Sequence, residues 1–296
     1  MNRARAVATM VLVTLLWSIA GVVTRRLEAA AAFELTFWRS LFNALTLLLV
    51  LGWQRGPRAL AASMQGGGRT LWASGACWAV MFTAFMVALT LTTVANVLVT
   101  MALAPLFTAV AARAALGHRL PGRTWGAIVL AGAGIAWMYG QQLRGDAASH
   151  ALGTAVALAV PLAAAVNWTL VQHGRSRVEG ELDLASAALI GAALSALVTL
   201  PLAWPMVAPA SDVAWLALLG AVQLALPCLL LVGAARVLSA PEVSLLALLE
   251  VIFGVAWAWV GAGETPTGAV LGGGLLVLAA LAGNEALGLR TTRRLG

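Results

Sequence analysis

The chain has 296 residues, 61% hydrophobic and only 10% charged, with a mean hydropathy of +0.93. That composition excludes an ordinary water-soluble enzyme, whose element faces carry charge. The net charge of +7 and the pI near 11.3 come from 18 basic residues, all arginine, scattered singly between apolar runs. This pattern points to membrane topology and away from a nucleic-acid partner.

A helix crosses the bilayer with about 20 apolar residues, and the chain supplies ten such segments. In chain order the first five are expected near Ala6 to Thr24, Leu35 to Trp53, Thr70 to Leu91, Ala95 to Leu116 and Thr124 to Tyr139. The second five are expected near Gly153 to Gln172, Leu184 to Trp204, Val213 to Val237, Pro241 to Val260 and Thr267 to Leu289. Arg3 and Arg5 ahead of the first segment imitate a signal peptide, but nine further spans make it a retained first helix. Fourteen arginines fall on the side of both termini, three (Arg25, Arg26, Arg144) on the other, and Arg39 lies within a span. By the positive-inside rule both termini are cytoplasmic.

Sliding the chain on itself by 146 positions brings Gly117, Gly122 and Gly126 onto Gly263, Gly268 and Gly272, and Phe107 onto Phe253. A shift of 151 brings Trp17 and Ser18 onto Trp168 and Thr169. The expected fold is therefore an all-α membrane protein of ten transmembrane helices in two five-helix repeats, residues 1–145 and 146–296. Five is odd, so the second repeat enters the membrane inverted, the architecture of secondary transporters with a site at the repeat interface.

The order and spacing of several short pieces resemble the drug/metabolite transporter superfamily, and within it the EamA-type ten-helix exporters. They are Trp17-Ser18, Phe37-Trp38-Arg39-Ser40, Ala104-Pro105, Gly117, Trp125-Gly126, Leu249-Glu250, Gly263-Glu264 and Gly268. The Trp-rich helices and the absence of Lys look most like the YddG-type exporters of aromatic and neutral amino acids. The resemblance implies export by alternating access across the bacterial inner membrane, and a cavity ringed by the first, third, fourth, sixth, eighth and ninth helices. Two departures stand out: His118 occupies the position matching Glu264, and Val251 stands where the family often has Pro.

On those helices the neutral polar and aromatic residues Trp17, Trp78, Asn96, Thr100, Asn167, Trp168, Gln223 and Ser244 form the candidate substrate cavity. Amides and hydroxyls can bond a zwitterionic head group, and indoles can bury an apolar side chain or hold an ammonium. The same residue types also act as glue between membrane helices, and that reading stays open. Arg39 and Glu250 are the deepest charges, for substrate recognition, coupling or structure alike. Glu264 and His118 sit at helix ends as solvated or capping groups. Trp53, Trp72, Trp125, Trp137, Trp204 and Trp215 read as interface anchors, and the glycines of the fifth and tenth spans as packing contacts.

Cys77 and Cys228 lie in apolar runs and read as packing residues, so neither a metal nor a cofactor is expected. Intramembrane proteolysis needs a nucleophile with a base in reach, and His118, His150, His173, Asp146, Asp183 and Asp212 all fall at span ends or loops. The chain is expected to be a carrier, not an enzyme, whose partners are a small-molecule substrate and the lipid bilayer, and to act as a monomer. A nucleotide-sugar, sugar-phosphate or drug transporter of the same fold and a passive pore are the competing functions.

Overall fold

The computed structural model describes the chain apart from residues 28–30, 117–121, 143–147, 176–182, 235–236, 239–242, 244–245 and 296. Among the described residues it is all-α. Span one is α1 (Arg3–Thr24), opened by Asn2, whose side chain accepts from the Arg5 N–H at 2.9 Å. Span two is α2 (Ala32–Arg55). Gly56, at φ 81°, ends it, and Pro57 starts a short helix, α3 (Pro57–Gly66), that the apolar pattern did not announce. Leu60 is the one buried residue of α3, so this helix is built on capping chemistry instead of an apolar run.

Span three is α4 (Gly68–Leu91) and span four is two pieces, α5 (Val94–Met101) and α6 (Ala104–Leu116). Spans five to seven are α7 (Gly122–Gln142), α8 (Ala148–Arg175) and α9 (Leu184–Thr199). The seventh is expected to reach Trp204 but stops at Thr199: Leu200 keeps α-region angles, and Pro201 has no N–H with which to extend the helical ladder. Span eight runs from α10 (Ala210–Leu218) through a π-helical segment, Leu219–Ala225, into α11 (Leu226–Ala234). Spans nine and ten are α12 (Leu249–Ala262) and α13 (Gly268–Leu295). Six of these runs are long and apolar enough to cross a membrane, and Leu184–Thr199, Leu246–Ala262 and Gly268–Asn284 are shorter apolar helices.

The packing repeats itself between the halves. Span three packs on six and seven, and span eight packs on one and two; span four packs on six, and span nine on one. Spans two and seven, four and nine, and five and ten pair with each other. Exchanging each helix for its counterpart five spans on maps these principal contacts onto themselves.

Two glycines show the correspondence at atomic scale. A Cβ on Gly75 of α4 would run into the Ile190 side chain and lie 3.5 Å from the Ala187 carbonyl oxygen. A Cβ on Gly220 of the π segment would lie 2.7 Å from the Phe42 Cβ and 2.6 Å from the Arg39 carbonyl oxygen. Arg39 and Phe42 precede Ala187 and Ile190 by the same 148 positions. Small residues let membrane helices approach this closely. Between α7 and α13 the same device recurs, with Gly134 against the Gly273 carbonyl. The six tryptophans read as interface anchors are all exposed.

Candidate functional site

The π segment of span eight determines where its polar side chain points. Pro227 has no N–H and leaves the carbonyl of Gln223, four residues back, without its α-helical donor. The widened turn ending at Ala225 absorbs that loss; such π turns concentrate at functional sites. Gly220 holds this turn against α2, and Gln223, one turn on, meets Arg39. Gln223 Oε1 accepts from Arg39 Nη2 at 2.9 Å and Nε at 3.3 Å, and its Nε2 donates to the Trp17 carbonyl at 2.9 Å. One buried amide thus ties spans one, two and eight.

Arg39 is 2% exposed, and its guanidinium stacks 5.3 Å over the Phe85 ring. Beside it the Ser195 hydroxyl is shared by Ser40 at 2.9 Å and Thr83 at 2.8 Å, which adds spans three and seven to the network. Trp17 and Trp78 both pack on a cluster of Phe82, Ala192, Leu224 and Cys228. The indole N–H groups of Trp17 and Trp78, the Arg39 Nη1 and the Asn43 amide are buried with no hydrogen-bond partner among the described residues. An excess of buried donors around one cation suits a carboxylate or carbonyl oxygen.

The fourth and ninth spans are broken at equivalent places. In span four the helix lapses at Ala102–Leu103, just ahead of Pro105, and in span nine it lapses at Leu248, which is 146 positions after Ala102. Asn96 and Thr100 stand on the first piece of span four, both at most 1% exposed. Glu250 stands just past the break in span nine, half-buried in the first turn of α12, where helix N–H groups lack partners. α5 packs directly on α12, so the two breaks face one another.

A model of the EamA-like transporter family matches residues 4–140 and 151–284, once in each half. The chain belongs to the EamA-like transporter family. Among solved structures fourteen chains match; one crystal structure of a protein shares 20% identity at a TM-score of 0.65 and covers 99% of both chains, which shows the fold. No curated protein matches the chain.

Within this EamA fold the candidate cavity residues divide. Trp17, Gln223 and Arg39 share one hydrogen-bond network, and Trp78 packs on the same apolar cluster as Trp17. Asn96 and Thr100 lie apart from it on α5, where Asn96 Nδ2 donates to Thr92 Oγ1 at 3.0 Å and Thr100 Oγ1 to the Asn96 carbonyl at 2.7 Å. Asn167 Oδ1 accepts from Ser74 of α4 at 2.6 Å. Trp168 continues the buried row Thr154, Ala157, Pro161 and Ala164 of α8 and is nevertheless 40% exposed. Ser244 and His118 lie outside the described residues.

The polar span ends hold the helices to one another. Glu264, expected as a solvated or capping group at its own helix end, caps a different helix. Its Oε2 accepts from the Val94 N–H at the start of α5 at 2.9 Å, and its Oε1 from Arg25 at 3.0 Å. Arg25 also donates to the Thr92 carbonyl at 2.5 Å, so the ends of spans one, four and nine are tied together. At the opposite end Asp183 caps α9, pairs with Arg55 and accepts from Ser63 of α3 at 2.8 Å and Ser186 at 2.6 Å. Burial alone would raise the Asp183 pKa, but Arg55 and the two serines outweigh it and hold it down to about 2.

Proposed function

We propose that this EamA-family protein is a secondary transporter that exports small neutral metabolites, amino acids including aromatic ones, by alternating access. The carrying observation is the pair of discontinuous helices, broken 146 positions apart and packed on each other. Discontinuous helices in corresponding positions of two halves mark the substrate site of inverted-repeat carriers. The exchange symmetry of the packing supports the inversion: two odd-numbered halves related by a two-fold axis must run oppositely through the membrane. Repeats 1–145 and 146–296 then provide two conformations of similar energy, one open to each side.

Substrate chemistry follows from the side chains. Arg39 with its unpartnered Nη1 and the two indole N–H groups offer donors to a carboxylate, Glu250 lies within electrostatic reach of Arg39, and Trp17, Trp78 and Trp168 offer apolar faces. A zwitterion with an aromatic side chain uses all of these; a phosphate-bearing substrate asks for more cations, and Arg39 is the one buried arginine among the described residues. The arginine distribution supports cytoplasmic termini, and the reading is completed by a chain of the bacterial inner membrane that acts as a monomer, its two halves forming the site.

Proteoliposomes loaded with labelled tryptophan test this. Efflux is expected to exceed that of empty vesicles, to show saturable counterflow and to slow in Trp17→Ala and Trp168→Ala. Efflux equal to that of empty vesicles ends the proposal, and non-saturable flux without counterflow replaces the carrier by a pore.

A further inference from the structure

Between α5, α12 and the start of α13, at the membrane face closed by Arg25 and Glu264, lies a cavity of about 150 Å³. Val255, Ala258, Pro266 and Val270 form its apolar walls, and Asn96 and Glu264 are its amide and its charge. The Thr93 and Thr267 hydroxyl oxygens, also at its edge, already accept from the helix N–H groups of Asn96 and Val270. Asn96 is 1% exposed and donates through Nδ2, while its Oδ1 has no donor among the described residues. Leaving such an acceptor dry and unpaired is costly, so its missing donor needs an explanation. Each Glu264 oxygen takes one bond, from Arg25 and from Val94, and a carboxylate oxygen accepts a second. Among the described residues no arginine or histidine lines the cavity. Its unmet demand is for a cationic N–H donor with an apolar body.

We propose that this cavity is a second binding site, for the primary ammonium group of the exported molecule, with the ammonium donating to Asn96 Oδ1 and Glu264. The assignment deepens the amino-acid reading and rests on it. An ammonium at Glu264 competes with Arg25, whose bonds to Glu264 and to the Thr92 carbonyl tie span one to spans four and nine. Occupation of the site therefore loosens the closure of the face through which the substrate leaves.

Thr265 lines the cavity and is exposed, which makes Thr265→Cys a reporter in a background with Cys77 and Cys228 replaced by alanine. The measurement is the rate of maleimide labelling in detergent with phenethylamine, with 3-phenylpropionate or with sodium chloride alone. At an amine concentration about ten times its Kd, labelling slows about tenfold by mass action. The acid and the salt leave the rate unchanged, and Asn96→Val restores unprotected labelling in the presence of the amine. Where Asn96→Val does not fold, Val255→Phe fills the cavity and is expected to abolish protection in the same way. Equal protection by acid or salt, no protection by amine, or protection that survives both variants overturns the site. Labelling requires no transport, so protection without tryptophan efflux retains the site and rejects amino-acid export, whereas efflux without protection rejects the site alone.

Discussion

The two glycine crossings share a backbone plan and differ in chemistry. At one, Gly75 of α4 lies on Ala187 and Ile190 of α9, and the residue one turn on, Trp78, faces apolar neighbours. At the other, Gly220 lies on Arg39 and Phe42 of α2, and the residue one turn on, Gln223, bonds the Arg39 guanidinium. Even the helix starts correspond. Glu34 in the first turn of α2 accepts from the Val207 and Ala208 N–H groups in the loop after span seven, and Asp183 ahead of α9 grips α3 in the connection after span two. The two halves have kept the packing, while the side chains facing the centre have diverged. On the proposed carrier reading, the shared plan serves the exchange between two poses and the divergence serves what is carried.

That division is sharpest at Gln223. Gln223→Leu keeps the crossing but removes the oxygen that accepts two Arg39 bonds, and the expected loss is about 1.5–3 kcal/mol, the range for hydrogen bonds to charged groups. Thermal melting in detergent measures it, and Arg39→Leu combined with Gln223→Leu should recover part of the loss because no buried cation then lacks a partner. If the double variant is as unstable as the sum of the single ones, Arg39 and Gln223 do not act as a pair.

The backbone plan is broken by filling the glycines. Gly220→Ala drives a Cβ against the Arg39 carbonyl and the Asn43 N–H, neither of which can rotate away, and overpacking of this kind costs about 1–3 kcal/mol. Gly75→Ala meets Ile190 Cγ2, which can change rotamer, and Ile190 Cβ at 2.9 Å, which cannot, but its nearest backbone neighbour is 3.5 Å away, so its loss in the same melt should be smaller. Ser195 joins both crossings through Ser40 and Thr83, and Ser195→Ala should cost only about 1 kcal/mol, since interhelical hydrogen bonds in membranes average about 0.6 kcal/mol each.

Much of the plan was legible in the chain because hydrophobic length and the glycine register carry it. Each of the ten expected spans corresponds to a helix or a broken helical run, and Trp17, Trp78, Arg39 and Gln223 were all visible as odd residues in apolar surroundings. Their grouping was not. Asn96 and Thr100 are buried polar residues like Arg39 and Gln223 yet sit on another helix, and nothing local to Asn167 distinguishes a ligand from glue to Ser74. Gly220 and Gly75 carried a usable signal, since they lie 145 positions apart, close to the register of the other glycines. The roles of Glu34 and Glu264 carried none, because their partners, backbone N–H groups and for Glu264 also Arg25, lie far away in sequence.

The smallest expected difference lies at the helix starts. Asp183 ionises in the folded protein at about pH 2, below its value of about 3.9 in an unfolded chain. A depressed carboxyl pKa contributes stability that is fully present above the unfolded value and is lost as pH falls through the folded one. The contribution of Asp183 should therefore be constant from pH 7 to about pH 5 and fade between about pH 4 and pH 2. Arg55 and Asp183 both keep contact with water, so Arg55→Ala should lower stability by at most about 1 kcal/mol, and less at high salt. Melting of wild type and Arg55→Ala at several pH values measures this directly: the two curves should stay parallel at neutral pH and converge on acidification. Convergence already at pH 6 would mean that another titrating group, and not Asp183, holds α3 to the head of α9.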